Sequence, residues 1–217
     1  MKGGKLKNPI IVVTSTNSYG TRTRFSIAHE LGHYHMPNHM NETYTCTLTD
    51  LNNYQSNKLV EKESNEFAAE LLMPNAWIKN AIKSVDVSLE LLRTLANKCE
   101  TSLTATALQV SNSCSDRIAV VYSQDERIVW FNKARSFNHY LATGKSSKLS
   151  IASEMFRSGG LFPENKDSVL LEAWTPDDRN YKLLVEDSLY MPHLNSVLRI
   201  LIIPYDEYDE EDSDFFY

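Results

Sequence analysis

His29-Glu30-Leu31-Gly32-His33 is the stretch around which this 217-residue chain is read. Two histidines four residues apart on a helix lie one above the other, so both imidazoles can face one divalent cation. Glu30 between them can then hold a water and take its proton, which is the HExxH pattern of zinc-dependent hydrolases. The same five residues also fit an ordinary amphipathic helix with exposed histidines. The flanking sequence has to supply the helix, a third ligand and a closed site.

Working outward, residues 10–14 are β-branched and continuous, which predicts a buried strand, and residues 17–20 form a turn cluster. Thr21 or Thr23 can cap the helix that follows, with Phe25, Ile27, Ala28 and Leu31 as its apolar positions. Pro37 disfavours helix at Met36, so the helix is expected to end by His35. Residues 38–57 are rich in Asn and Thr and read as a long loop. A second helix is predicted over 58–73, capped by Ser56 or Asn57 and stopped by Pro74.

This second helix carries two stripes. Glu63, Glu66 and Glu70 form an acidic stripe that reads as solvated, whereas Glu61, Asn65, Ala68 and Leu72 form one that is otherwise apolar. Burying a lone carboxylate costs several kcal/mol or neutralises it, so Glu61 needs a partner, and a cation held by His29 and His33 is one. Glu61 could instead sit solvated in the first helical turn, favoured there by the helix dipole. Asn65, one turn on, is placed to orient a metal-bound imidazole. Two rivals for the third ligand stay open. Glu63 is one, by a shift of two residues. His39 is the other, ten residues after His29, although the glycine that turns the chain back in the extended metzincin motif is replaced by Met36. His35 and His39 otherwise read as loop residues at the mouth of a cleft.

Arg22-Thr-Arg-Phe-Ser-Ile-Ala-His-Glu-Leu-Gly-His33 followed by Glu61-Lys-Glu-Ser-Asn-Glu-Phe-Ala-Ala-Glu-Leu-Leu-Met-Pro74 resembles the ImmA/IrrE family of metallopeptidases. The resemblance implies a zincin-like domain with Glu61 as ligand, Ser64 where alanine is usual, and Asn65 at the Asp/Asn place. It also implies a protein substrate, a helix-turn-helix repressor whose cleavage releases a stress-response or mobile-element operon. Relatives carry a helical segment and strands before the block that begins near Ile10, so an N-terminally shortened form is an expectation here.

Composition bounds the rest. At 42% hydrophobic and 23% charged the chain is globular, and its net charge of −6 owes much to residues 206–214, which read as a disordered acidic tail. Neither strong nucleic-acid steering nor attraction to anionic membrane follows from such a balance. Cys46, Cys99 and Cys114 show no CxxC spacing and read as reduced thiols. The apolar run over 10–13 is too short for a signal peptide or a span, so a cytoplasmic location is expected and no membrane partner.

Downstream, 75–82 reads as a short helix with Trp77 and Ile78 in the core, and 88–100 with 102–110 as a helix pair joined by a tight turn, where the family resemblance implies a helix-turn-helix-like region. Residues 103–115 contain no Lys or Arg, so direct DNA binding is not expected. A hairpin over 117–122 and 127–131, a helix over 146–157 stopped by Gly159-Gly160, and strands over 168–174, 181–190 and 197–203 complete the chain, with a turn over 177–180.

The fold expected is therefore α+β. A zincin-like helical metallopeptidase domain with a short N-terminal strand (1–83) leads into a helix pair (84–115), a small mixed α/β C-terminal part (116–205) and an acidic tail (206–217). The function expected is a zinc-dependent endopeptidase in which His29, His33 and Glu61 hold Zn²⁺, Glu30 is the general base and Asn65 stands behind the ligands. Tyr34, His35, His39, Tyr44 and Tyr54 are candidates for oxyanion or substrate contact. A zinc-containing module that holds a regulator without cutting it, or a DNA-binding regulator, are the alternatives.

Overall fold

The computed structural model describes residues 10–12, 20–37, 39, 59–161, 163–175 and 182–205. The readings of 13–19, 40–58, 176–181 and the acidic tail, with Tyr44, Tyr54, Cys46 and the cap at Ser56 or Asn57, lie outside them. The chain divides into two compact units, one of Met1–Ser84 and Leu92–Gln109, the other of Val85–Leu91 and Val110–Tyr217. The architecture is α+β: six α-helices and a five-stranded antiparallel sheet among the described residues.

In the first unit, helix α1 (Thr21–His35) packs along α2 (Leu59–Leu72). Phe25 and Ala28 of α1 meet Ala68 and Leu72 of α2 in a small apolar cluster. The helices lie close at Gly32, where a Cβ would stand 3.0 Å from the Cα of Ser64 and 3.2 Å from its carbonyl oxygen. A small residue is therefore required at this crossing. α1 ends where Pro37 dictates, with Met36 extended as its C-cap. Its start differs from expectation: Gly20 is the N-cap, no side chain caps the helix, and Thr21 is already its first helical residue. Arg24 ties α1 to the end of α4 (Leu89–Cys99) by donating to the Cys99 carbonyl at 3.0 Å and pairing with the Glu100 carboxylate.

Of the expected N-terminal strand only residues 10–12 are described. Residues 10–12 form no strand, and Ile10 and Val12 are each 85% exposed. β-branched propensity does not make a strand without a partner ladder and a surface to cover it, and every strand described lies in the other unit. Helix α3 (Asn75–Ile82) buries Ile78 fully but leaves Trp77 40% exposed, so only one of its two expected core residues is inside. α5 (Leu103–Ser113) follows α4, and the Gln109 side chain donates to the Met73 carbonyl at 2.9 Å, satisfying the end of α2.

The second unit is built on the sheet β2-β1-β5-β4-β3, from β1 (Ile118–Gln124), β2 (Arg127–Lys133), β3 (Glu164–Leu170), β4 (Leu183–Met191) and β5 (Ser196–Ile202). The expected hairpin turns at Asp125 and Glu126, both at positive φ. The helix expected over 146–157 forms only as α6 (Ile151–Arg157), capped by Ser150. The strand expected over 168–174 lies earlier, because the chain tightens into a 3₁₀ turn over Leu171–Ala173 that turns Trp174 into the core.

One face of the sheet buries a carboxylate and a guanidinium. The Glu186 carboxylate accepts from the Trp174 indole at 2.9 Å, from the Ile151 and Ala152 amides, and from the Ser188 hydroxyl. Arg199 is fully buried with its guanidinium carbon 4.8 Å from the Trp174 ring centroid. Burial pulls its pKa down to about 10 and the Glu186 charge opposes that shift, so the side chain stays cationic at neutral pH.

Candidate metal centre

α1 begins two turns before His29, so His29 and His33 stand in formed helix and share one face. The crossing at Gly32 brings the first turn of α2 against that face, and Glu61 lies in that turn. The three side chains converge. His29 Nε2 and His33 Nε2 are 3.1 Å apart, and Glu61 Oε2 is 3.2 Å from the first and 3.5 Å from the second. All three residues are buried, with His29 fully so.

This triangle fits a cation. A tetrahedral ion with bonds of about 2.0–2.1 Å sets its ligand atoms roughly 3.3 Å apart, close to all three edges. The hydrogen bond behind His29 points the same way: its Nδ1 lies 2.9 Å from Asn65 Oδ1, an acceptor, so the imidazole proton sits on Nδ1 and leaves Nε2 bare. Bare nitrogen lone pairs beside a carboxylate oxygen repel unless a positive charge lies between them. Burial, with the neighbouring His29 and His39 imidazoles adding to it, pushes His33 down to about 4, which keeps it in the neutral form that binds metals.

Glu30 is half-buried beside His29 on α1. His39 lies outside the helices as expected but is buried and not open at a cleft mouth: it is 3% exposed, with Nδ1 2.9 Å from His33 Nδ1 and Nε2 3.0 Å from Glu63 Oε2. The His39 amide donates to the Met36 carbonyl at 3.3 Å. Glu63 is accordingly half-buried and bonded, where the acidic stripe suggested a solvated side chain. The two rivals for the third ligand are thus engaged with each other. Tyr34 is 36% exposed and meets His35 edge-on at 5.1 Å, while His35, also exposed, stacks on Phe67 at 5.9 Å. The His39–Glu63 pairing was missed in sequence, although both residues had been singled out for metal affinity.

Two histidines one helical turn apart and a buried carboxylate from the next helix form a group that could hold a metal ion. The chain belongs to the M78 peptidase family: residues 2–111, half of its length, match the family, described as the IrrE N-terminal-like domain. No curated protein matches the chain. No described helix is long and apolar enough to cross a membrane.

Proposed function

We propose that this protein is a zinc-dependent endopeptidase that acts in the cytoplasm on a helix-turn-helix repressor. The observation that carries the catalytic part is the buried triangle of His29 Nε2, His33 Nε2 and Glu61 Oε2, with edges of 3.1, 3.2 and 3.5 Å. Zinc suits two imidazoles and one carboxylate, and three protein ligands leave a fourth position open, as catalysis requires. Bound there, zinc supplies Lewis acidity towards the scissile carbonyl and lowers the pKa of water to ~7.

Glu30 is the general base in this reading. Its carboxylate takes a proton from the attacking water as the new C–O bond forms, then delivers it to the amine nitrogen as the C–N bond breaks. Asn65 holds the His29 ring in the orientation that keeps Nε2 aimed at the site. The repressor substrate rests on the resemblance in the residues of α1 and α2. Direct DNA reading is disfavoured by α5, whose eleven residues include no Lys or Arg.

Glu30→Gln tests the assignment. The variant should retain about one zinc per chain by mass measurement and lose cleavage of a purified helix-turn-helix repressor, with kcat/KM down by at least ~10²-fold. Equal cleavage by wild type and variant would refute the enzymatic role of Glu30. Zinc-loaded wild type that binds a repressor without cutting it would leave the regulator-holding module instead. Glu61→Ala should lose zinc; loss in Glu63→Ala alone would reverse the ligand assignment.

A further inference from the structure

The geometry points to Glu63 and His39 as a positioning relay that fixes the ring of His33 for the metal. It rests on the metal reading above and goes beyond it, since neither residue is part of the His29–His33–Glu61 triangle. Glu63 Oε2 lies 3.0 Å from His39 Nε2, and His39 Nδ1 lies 2.9 Å from His33 Nδ1.

Proton placement along this chain admits one arrangement compatible with metal binding. Between two Nδ1 atoms at 2.9 Å only one can carry the shared hydrogen. If His33 supplies it, His33 Nε2 is bare and turns its lone pair to the triangle. His39 is then an acceptor at Nδ1, so its own proton is on Nε2, where the Glu63 carboxylate receives it. Both of these contacts are then a donor meeting an acceptor. In the opposite arrangement His39 Nδ1 donates, and the proton of neutral His33 moves to Nε2, into the space between His29 and Glu61. Neutral His39 would also face the Glu63 carboxylate with a bare nitrogen, two acceptors 3.0 Å apart. The acceptor oxygen of Glu63 therefore selects the His39 tautomer, and His39 selects that of His33.

His29 obtains the same result in one step from Asn65. His33 obtains it in two. Glu61 and Glu63 lie on one helical turn yet serve opposite sides of the His33 ring, the first facing Nε2 and the second reaching Nδ1 through His39.

The test is zinc affinity by chelator competition, with the full chain, for wild type, His39→Phe, Glu63→Leu and Glu63→Gln. Loss of an outer-shell partner typically lowers metal affinity about 10- to 100-fold, the change expected for His39→Phe and Glu63→Leu. Glu63→Gln should recover most of it, because an amide oxygen still accepts from His39 Nε2. Long-range proton–nitrogen NMR of zinc-loaded wild type should place the His33 proton on Nδ1 and the His39 proton on Nε2. This readout needs no variant to fold, and a purely structural role would not dictate it. Unchanged affinity in both apolar variants, or a His39 proton on Nδ1, overturns the relay while leaving the zinc reading intact. Failure of wild type to bind zinc overturns both.

Discussion

Asn65 shows how much one amide can decide. Its Oδ1 accepts from His29 at 2.9 Å, while its Nδ2 is buried with no hydrogen-bond partner among the described residues. Among the described residues that buried donor goes unsatisfied, at a cost on the order of 1–3 kcal/mol, while the oxygen stands behind the His29 ring. Asn65→Leu should remove that donor's cost and keep the volume, so the zinc-free fold should lose little stability. Zinc affinity should nevertheless fall roughly 10- to 100-fold, since the His29 tautomer is no longer held; equal affinity in a chelator competition would dismiss the ring-holding role. At this scale the sequence was readable where burial follows helical period. Glu61 and Asn65 were found because a stripe shared with Ala68 and Leu72 faces inward. His39 and Glu63 were not paired, because their contact depends on how the chain turns after Pro37, which no periodic pattern encodes.

The crossing of α1 and α2 is set by their smallest residues. Gly32 lies in the HExxH segment itself, and its neighbour is backbone, not the end of a pliant side chain. Gly32→Ala would gain about 1 kcal/mol in helix propensity. It would also push α2 away, an overpacking cost typically about 1–3 kcal/mol. The net expectation is a chain of similar or slightly lower thermal stability. Zinc affinity is the sharper readout, and it should drop because Glu61 rides on the displaced helix; wild-type affinity in this variant would show that the contact does not set the triangle. Helix ends were legible where proline enforces them, at Pro37 and Pro74, and less so where capping competes, as at Gly20. Strand positions slipped for a related reason. Residues 168–174 carry strand-like composition, but Trp174 buries its ring by leaving the ladder, and the 3₁₀ turn over Leu171–Ala173 follows from that.

Across the whole molecule, every residue assigned to the metal centre falls in one compact unit, whereas the sheet with its Glu186 and Arg199 forms the other. The two units are held together internally by different means. In the first, neighbouring imidazole and carboxylate groups converge in the interior, and a bound cation would relieve their repulsion. The second satisfies its buried carboxylate with four donors of its own. A ligand that binds only the folded state stabilises it by RT ln(1 + [L]/Kd), about 2.7 kcal/mol at a hundredfold excess over Kd. That energy enters through α1 and α2. Removing zinc with a chelator should therefore speed backbone hydrogen exchange over Thr21–His35 and Leu59–Leu72, read by mass spectrometry, in line with the local character of native-state opening. β1, β4 and β5 should exchange at unchanged rates. Uniform acceleration over both units would mean that the metal stabilises the chain as one cooperative body, and no change in α1 and α2 would mean that the triangle binds no ion in solution.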